Sequence, residues 1–362
     1  MKSFKIPITK ATPMGERIFW YNSFMAFITL NKNNFFNNLD IISKRSKAKD
    51  KIALVLKDNA YGHGLLEVAS MAKEYGITRA VVRTSAEAKA IEDFFEYILV
   101  LTDFPQESNE KIRYTINDIK TIKNFPKNTK VELKVDTGMH RNGIAMHELE
   151  AAFELIKKYE LRLEAVFTHH GCADELNEFF DLQNKNFKEV KQSSKELANK
   201  YGFDKLRFHS CNSAALFRTD DFDEDMVRVG IAAYGCMQLP TAFNEKALKP
   251  VLSLFANKIS SRKLKKGESV GYGATYTAEK DCIVSNYDFG YGDGFLRVCS
   301  NNYITPNGIE LVGRISMDNS SFLSAEDEVL IFDDARVVAE VARTIGYEVL
   351  TSLKSDIKRV LV

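Results

Sequence analysis

The chain has 362 residues, is 45% hydrophobic and 27% charged, and carries a formal net charge of only +1 at pH 7. A balance this close to neutral gives no electrostatic basis for binding nucleic acid or an anionic membrane. The cysteines are scattered, odd in number and without a Cys-x-x-Cys pair, which is typical of reduced thiols in a cytosolic protein rather than of a disulfide framework.

The first 24 residues precede the regular pattern of the chain. Asn22 and Ser23 interrupt the only aromatic patch near the N-terminus, so no signal peptide is predicted. No stretch approaches the roughly 20 apolar residues of a membrane span. We therefore expect a soluble, cytoplasmic protein, with residues 1–24 a candidate edge strand of a second, β-rich domain.

From residue 25 to 235, short apolar runs alternate with polar segments of helical period, which predicts βαβ units and a parallel sheet. Eight or nine units in about 210 residues fit a closed (β/α)8 TIM-like barrel, and a doubly wound open sheet is the alternative. The predicted strands are FITL (27–30), IALVLK (52–57), RAVVRT (79–84), YILVLTD (97–103), RYTIND (113–118), VELKVDT (131–137), EAVFTHH (164–170), LRFHSCNS (206–213) and MVRVGIAAYG (226–235).

The pattern changes after Leu239-Pro240. Later segments alternate with period two and are separated by Gly and Asn turns, and only ARVVAEVARTIG (335–346) has a helical pattern. The sequence thus predicts a barrel domain over 25–240 and a mostly-β C-terminal domain over 241–362, with the boundary near residue 240.

Polar residues fall at the carboxyl ends of several predicted strands. They are Lys57, Lys134 with Asp136, His169, and the pair Asn212-Ser213. In a (β/α) barrel this end carries the active site, because the βα loops meet there. The pattern therefore predicts that these side chains converge on one mouth.

Lys57 ends a buried strand with an amine. Burial in an apolar mouth disfavours the charged form, and a neutral amine is the nucleophile that attacks a carbonyl group. The alternative is a structural lysine that reaches solvent or pairs with Asp58.

Asn212 and Ser213 begin a predicted helix, where a hydroxyl and free amides can bind an anion such as phosphate. Gly230 and Ile231 could supply further amide donors; the alternative is an ordinary helix cap. Arg228 lies within an apolar strand, which is unfavourable for a cation unless it is paired or used, so a structural ion pair is its alternative role.

Three further motifs contain residues with candidate chemical roles. HHGCADE (169–175) suggests zinc, but no second cluster of matching spacing exists, so no metal site is predicted. GYGATYTA (271–278) and DFGYGDGF (288–295) each frame a tyrosine with glycines, and β-hairpin rims are the alternative explanation. Neither completes a nucleotide-binding glycine motif.

Taken together, the motifs resemble the alanine racemase family, enzymes with a pyridoxal 5'-phosphate-binding barrel and a C-terminal β domain. Eight blocks match in order over nearly the whole chain, which is a specific resemblance. They are KDNAYGHG (57–64), LKVDTGMHRNG (133–143), FTHHGCADE (167–175), HSCNSAA (209–215), VRVGIAAYG (227–235), GYGATYTA (271–278), GYGDGF (290–295) and VGRISMDN (312–319).

The resemblance implies a role for each matched position. Lys57 would bind the cofactor and act as one base, and Tyr272, from the partner subunit, would be the second. The remaining cofactor contacts would come from Tyr61, His169, Asn212, Ser213, Arg228, Gly230 and Ile231, and the substrate contacts from Arg141, Tyr291, Met317 and Asp318. In this family Arg228 would face the pyridine nitrogen, His169 would stack on the ring, and Lys134 would be carbamylated.

The implied reaction is interconversion of L- and D-alanine, which supplies D-alanine for peptidoglycan. Racemisation removes a proton from one face of the α-carbon and returns it on the other, so two bases are needed. A tyrosine with an ordinary pKa of about 10 is a poor base at neutral pH. An Arg228–His169–Tyr272 hydrogen-bond chain, as in the family, would help it, and the shared site would make a homodimer obligatory.

Asp58, His140, Cys211 and Ser355 depart from residues that are common in the family. Because Ser355 replaces a tyrosine at the entrance, a racemase of broader amino-acid specificity is the first alternative. A pyridoxal-phosphate amino-acid decarboxylase of the same architecture, or a non-catalytic pyridoxal-phosphate-binding protein, fits less well, since the chain keeps both GYGATYTA and a β domain.

Overall fold

The structure of the chain is a computed structural model that describes residues 25–240, 243 and 247–362. The predicted packing of residues 1–24 falls outside the described residues. Within the described ranges, no helix combines the length and apolar character needed to cross a bilayer.

Eight parallel strands form a nearly closed barrel, as the alternating pattern predicts. The last barrel strand in the chain, Val227–Val229, pairs with the first, Ile52–Val55, through Val227↔Ile52. On its other side it meets the end of the strand Arg207–His209 through single bonds, such as that from Arg228 N to Cys211 O at 3.0 Å. In spatial order the strands are Val227–Val229, Ile52–Val55, Arg79–Val82, Tyr97–Val100, Ile112–Ile116, Lys130–Asp136, Arg162–Phe167 and Arg207–His209, and a short strand, Ile144–Ala145, pairs with Lys130–Asp136.

Helices flank these strands because their apolar faces cover the outer surface of the barrel. The longest of the described helices, Phe179–Tyr201, buries Phe180, Phe187 and Val190 and exposes most of its charges. The helices of the barrel region are Lys32–Arg45, Leu65–Tyr75, Ser85–Ala90, Leu149–Lys158, Phe179–Tyr201 and Ser213–Arg218, and the 3₁₀ turns are Lys49–Lys51, Ile119–Asn124 and Met146–Glu148.

A second sheet of six strands forms the C-terminal β domain. Its central strand, Leu252–Leu264, pairs with three others. The strands are Phe27–Leu30, Leu252–Leu264, Cys282–Tyr287, Ser320–Phe322, Glu328–Phe332 and Lys358–Leu361, a hairpin of Ser269–Val270 and Tyr276–Thr277 lies apart, and the 3₁₀ turns are Tyr272–Ala274 and Arg297–Cys299.

The assignment of FITL to the barrel was wrong. Phe27–Leu30 pairs antiparallel with Leu252–Leu264 and parallel with Lys358–Leu361 in the second sheet. Only alternate residues of this strand are buried, as expected where one face of a sheet is covered, whereas Ile52–Val55 in the barrel is buried throughout. The domain boundary near residue 240 stays a prediction, but the strand Phe27–Leu30, at the start of the described chain, belongs to the sheet of the C-terminal domain.

The helical stretch predicted over 335–346 contains one helix, and a second helix that follows it was not predicted. Ala335–Ala342 ends at Arg343, whose left-handed φ of 55° stops it, and a second helix follows over Gly346–Ser352. The second helix packs against the turn that follows the first barrel strand.

Candidate active site

Lys57 lies at the carboxyl-end mouth of the barrel, directly after its first strand. Leu56 continues that strand by donating its amide to Val81 O at 2.8 Å. The Lys57 side chain is 36% exposed, and Nζ lies 3.8 Å from Asp58 Oδ2. Asp58 also contacts Arg83 at 3.3 Å, so it does not engage Lys57 alone. The amine is therefore accessible from the mouth.

The turn after Lys57 is left-handed over four consecutive non-glycine residues. Asp58, Asn59, Ala60 and Tyr61 have φ between 50° and 55°, and Gly62 follows at 76°. Each left-handed non-glycine residue costs about 1–2 kcal/mol, and such strain concentrates at functional sites.

Hydrogen bonds with neighbouring elements hold this turn in place. Glu87 Oε1 accepts the Asp58 amide at 2.7 Å, and Asn59 Oδ1 accepts the Leu65 amide at 2.8 Å. From the second domain, Arg359 donates to Gly62 O at 2.9 Å. These contacts offset the strain and fix the direction in which Tyr61 leaves the turn.

Tyr61 points toward a tight turn at the end of the last barrel strand. A Cβ on Gly230 would lie 2.9 Å from the Tyr61 hydroxyl, so only glycine leaves this space open. Ser213 Oγ accepts the Gly230 amide at 3.1 Å and the Ala232 amide at 3.4 Å. Ile231, in the same turn, is buried. Two hydroxyls and the backbone of this turn thus meet in one small space.

Asn212 sets the position of Ser213. Its side chain caps the helix Ser213–Arg218 by accepting the Ala215 amide at 2.9 Å. The preceding backbone is held by buried Glu224, which accepts the Ser210 amide at 2.6 Å and the Cys211 amide at 3.1 Å. Glu224 was not predicted from the sequence, because an acidic residue in a polar loop carries no distinctive pattern.

Arg228 is buried in the barrel interior at 5% exposure. Nη2 donates to Thr168 O at 2.7 Å and to Ser210 O at 3.0 Å, and Nη1 donates to the His209 imidazole and to its carbonyl. No carboxylate among the described residues forms an ion pair with it. The structural ion pair weighed as its alternative role is therefore not its environment, and its acceptors are neutral.

His169 lies half-buried beside Arg228, with Nδ1 3.5 Å from Nη2, a long contact. Burial, together with the charges of Arg228, Lys134 and Arg141, lowers the pKa of His169 well below its usual value. The ring is consequently neutral at neutral pH, which suits it to stacking.

Lys134 projects from the strand Lys130–Asp136 into the same mouth. Burial and the nearby cations Arg228 and Arg141 lower its pKa to about 8, against the opposing effect of Asp136. Arg141 is exposed on the loop that follows. Asp136 Oδ1 shapes this loop by accepting the amides of Gly138 at 2.9 Å and His140 at 3.1 Å.

The candidate residues of the second domain are Tyr272, Tyr291, Met317 and Asp318, and the last three lie on two joined loops. Tyr291 and Gly292 donate their amides to Ser316 O at 3.0 Å and Met317 O at 2.8 Å, which joins the loops that carry Tyr291, Met317 and Asp318. Tyr272 is 70% exposed, Met317 56% and Tyr291 43%, and Asp318 is also exposed. Among the described residues, no hydrogen bond, ion pair or ring contact joins this group to Lys57, His169 or Arg228. The structure therefore brings together the barrel residues but not the two proposed bases.

Glu132 and His209 were missed by the sequence analysis. Both are entirely buried in the barrel interior, and His209 Nε2 lies 2.9 Å from Glu132 Oε2. The available signal was the alternation Lys130, Glu132, Lys134, Asp136, which puts four charged residues on one face of a strand. Elsewhere in the part of the chain that the structure describes, no group of three or more His, Cys, Asp or Glu side chains is arranged to hold a metal ion.

Two family models match nearly the whole chain. Residues 30–238 match the model described as "Alanine racemase, N-terminal domain", and residues 251–361 match "Alanine racemase, C-terminal domain". An alanine racemase from a Nitratiruptor species is 45% identical over 335 residues, which cover 92% of this chain and 99% of that protein.

Solved structures of similar architecture are also alanine racemases. The enzyme from Bacillus anthracis with bound L-Ala-P has a TM-score of 0.82 and 27% identity, covering 93% of this chain and 95% of that one. The enzyme from Clostridium difficile 630 in complex with cycloserine has a TM-score of 0.80 and 26% identity, covering 93% and 95%.

Proposed function

The chain belongs to the alanine racemase family of isomerases, and we propose that it interconverts L- and D-alanine with pyridoxal 5'-phosphate and two bases. The observation that carries this proposal is the position of Lys57, at a barrel mouth that it shares with Arg228 and with the neighbouring residues Tyr61, Ser213 and Gly230. We further infer a cytoplasmic protein that supplies D-alanine for peptidoglycan.

The residues at the mouth fit pyridoxal phosphate. The missing Cβ of Gly230 leaves room beside the Tyr61 hydroxyl, and Ser213 already contacts the amides of this turn. Hydroxyls and backbone amides are the donors that bind a phosphate. We assign Tyr61, Ser213, Gly230 and Ile231 to the phosphate, with Asn212 orienting Ser213.

When bound, pyridoxal phosphate supplies an electron-withdrawing ring that acidifies the α-C–H bond of an attached amino acid. Arg228 would hold the ring nitrogen unprotonated, because a guanidinium stays charged and can only donate. Neutral His169 would pack on the ring face. Lys57 Nζ would hold the aldehyde carbon until the substrate amine displaces it there, and the freed amine would then move a proton on one face of the α-carbon.

The second proton would be moved by the Tyr272 hydroxyl on the opposite face. Because Tyr272 is 70% exposed and no hydrogen bond, ion pair or ring contact among the described residues joins it to Lys57, His169 or Arg228, we propose that it serves the site of a partner subunit in a homodimer. Tyr291, Met317 and Asp318 would line the entrance of that site, and Arg141 would bind the substrate carboxylate.

We propose that Lys134 is carbamylated. Carbon dioxide reacts with a neutral amine, and a pKa of about 8 leaves an appreciable neutral fraction at physiological pH. The resulting anion would orient Arg141. An electron-density map with an unmodified ammonium group at Lys134 would contradict this assignment.

A product assay tests the proposed activity. Purified protein loaded with pyridoxal phosphate is incubated separately with L-alanine, L-serine and L-lysine, and both D-enantiomers and carbon dioxide are measured. We expect D-alanine as the main product. Comparable rates with serine or lysine would indicate a broader racemase, carbon dioxide release would indicate a decarboxylase, and absence of D-alanine would refute the proposal.

A further inference from the structure

The inward face of the strand Lys130–Asp136 carries a column of charged side chains through the barrel. Glu132 lies in this column two residues before Lys134, at 0% exposure. A lone buried carboxylate is strongly unfavourable, so its partners determine what it does there.

Three donors surround the Glu132 carboxylate. The Tyr97 hydroxyl donates to Oε1 at 2.6 Å, Arg207 Nη2 donates to Oε1 at 2.9 Å, and His209 Nε2 lies 2.9 Å from Oε2. Burial alone would raise the pKa of Glu132, but hydrogen bonding by His209 and the charge of Arg207 outweigh it and lower the pKa to about 2. Glu132 is therefore ionised and can only accept hydrogen bonds.

An ionised Glu132 fixes the position of the proton on His209. Nε2 must carry hydrogen to donate to the carboxylate, and Nδ1 faces Nη1 of Arg228, which is always a donor. Burial and the Arg228 charge lower the pKa of His209 although its hydrogen bond to Glu132 opposes them, and Nδ1, which faces a permanent donor, stays unprotonated. The imidazole thus donates at one end and accepts at the other.

We propose that Glu132 is a positioning residue that fixes the tautomer of His209 and, through it, the orientation of Arg228. The hydrogen-bond partners of the carboxylate are Tyr97, Arg207 and His209, and none of these residues is assigned to the cofactor or to the substrate. Without the acceptor at Nδ1, Arg228 Nη1 keeps only the His209 carbonyl at 3.3 Å, while Nη2 remains on Thr168 and Ser210. The guanidinium would then be held mainly by the two hydrogen bonds of Nη2, and its plane could turn about that anchored end.

The effect of this orientation on the reaction rests on the proposed function, in which Arg228 faces the ring nitrogen. The tautomer itself does not rest on it. The two parts of the inference are therefore tested by different measurements.

The first measurement is the proton position on His209 in Glu132→Gln. Tyr97 and Arg207 both donate to Oε1, so they hold the amide oxygen and turn the amide NH₂ toward His209 Nε2. We expect ¹⁵N–¹H spectra of the histidine-labelled full-length protein to show Nε2–H in the wild type and Nδ1–H in the variant. The chain has only six histidines, and His209→Asn identifies the signal.

Tyr97→Phe is the matched control for this experiment. It removes another hydrogen bond from the same carboxylate but leaves the contact with His209, so the His209 spectrum should keep the Nε2–H form. An unchanged His209 tautomer in a folded Glu132→Gln protein would overturn the inference, whether or not the chain racemises alanine. A loss of the Nε2–H form in Tyr97→Phe would equally contradict a specific role for Glu132.

The second measurement is a double-mutant cycle that resolves kcat from KM. In His209→Asn, the amide oxygen can accept from Arg228 whatever residue 132 is. We expect Glu132→Gln to lower kcat about 10- to 100-fold with little change in KM, as for residues that hold a reactive ligand from behind. In the His209→Asn background the same change should lower kcat less than about twofold.

Equal losses in both backgrounds would mean that Glu132 does not act through His209. If Glu132→Gln fails to fold, the prediction is carried by His209→Asn, which should retain more kcat than His209→Ala because it keeps an acceptor for Arg228. Equal kcat values for those two variants would overturn the inference. Absence of racemisation in the wild type would refute the proposed function and leave the tautomer result standing.

Discussion

Arg228 and His169 differ in the physical control of their charge. The guanidinium of Arg228 is buried among carbonyl groups and an imidazole, and its charge persists because an arginine has so high an intrinsic pKa. The same charge, with burial, keeps His169 neutral. A permanent cation and a neutral ring are therefore set side by side at the site, and protonation of His169 near neutral pH is disfavoured.

Replacing the Tyr272 hydroxyl tests the second base. We expect Tyr272→Phe to lower racemisation about 10²- to 10⁴-fold, the range of a general acid–base group, and to impair the two directions unequally at proton transfer. Pyridoxal-phosphate binding, monitored by visible absorbance, should persist because the residues assigned to the cofactor lie in the barrel.

Tyr276→Phe, in the same hairpin, is the control for the fold of that hairpin and should retain activity. Loss of the bound-cofactor absorbance in Tyr272→Phe would mean that the tyrosine has a structural role instead.

Several candidate residues could be predicted because their position in the pattern was informative. Lys57, Lys134 and Ser213 each interrupt an apolar run at the end of a strand, where a barrel places its active site. Glu132 could not be predicted in the same way, because a charge in mid-strand normally marks a solvent-facing side. Its partner His209 lies 77 residues away in sequence.

At the scale of elements, the left-handed turn after Lys57 depends on the second domain. Arg359 donates to Gly62 O, and a Cβ on Gly62 would lie 2.0 Å from Leu350 O. The cofactor-binding turn and the segment 346–362 are therefore packed without space between them.

Gly62→Ala should destabilise the protein more than its backbone angle alone explains. Gly308 has nearly the same φ, 78° against 76°, but nothing within 4 Å of its Cβ position. We expect Gly308→Ala to cost about 1 kcal/mol in the free energy of unfolding and Gly62→Ala about 3 kcal/mol or more, with weaker pyridoxal-phosphate binding. Urea unfolding and absorbance titration measure both; equal losses in the two variants would contradict close packing at Gly62.

His63 should make the protein less stable in mild acid. Burial lowers its pKa to about 4, opposed by its hydrogen bonds to Tyr61 O and Ala60 O. As the pH falls, the unfolded chain therefore binds this proton before the folded chain does. The contribution of neutral His63 to the free energy of unfolding is fully present above pH 6.5 and is lost as the pH drops toward 4. The loss attributable to His63 is on the order of 3 kcal/mol.

The measurement is the free energy of unfolding in urea between about pH 7.5 and 4.5, a window that spans most of the His63 titration. Other buried histidines titrate too, so the slope of the wild type is compared with that of His63→Phe, which keeps a ring to stack on Tyr234. The variant should have the shallower slope, and parallel curves would contradict the assignment.

The strand Phe27–Leu30 marks the limit of element-scale prediction. Its composition resembles that of a barrel strand, and its alternating burial depends on partners more than 200 residues later in the chain. The eight barrel strands were predictable because each is a short apolar run with local sequence boundaries. Most alternate with helices, although Tyr97–Val100 and Ile112–Ile116 follow each other without one. Pairing with a distant sheet leaves no comparable local signal.

At the scale of the whole molecule, no hydrogen bond, ion pair or ring contact among the described residues joins the two proposed bases of one chain. Lys57 sits in the barrel mouth, whereas Tyr272 is exposed in the second domain, as are Tyr291, Met317 and Asp318. Exposed aromatic and methionine side chains of this kind are enriched at protein–protein interfaces. In a two-fold dimer, each subunit would bring its Tyr272 and the other three residues to the barrel of its partner, which makes two equivalent sites.

The most direct test of the central claim, that Lys57 and Tyr272 from different chains serve one alanine, is complementation between inactive variants. Lys57→Ala and Tyr272→Phe chains carry different affinity tags, are co-expressed, and are purified through both tags as a mixed dimer. One of its two sites then holds both substitutions and the other holds neither, so we predict about half the wild-type racemase activity per dimer. A mixed dimer that forms but has no more activity than either parent would contradict the claim.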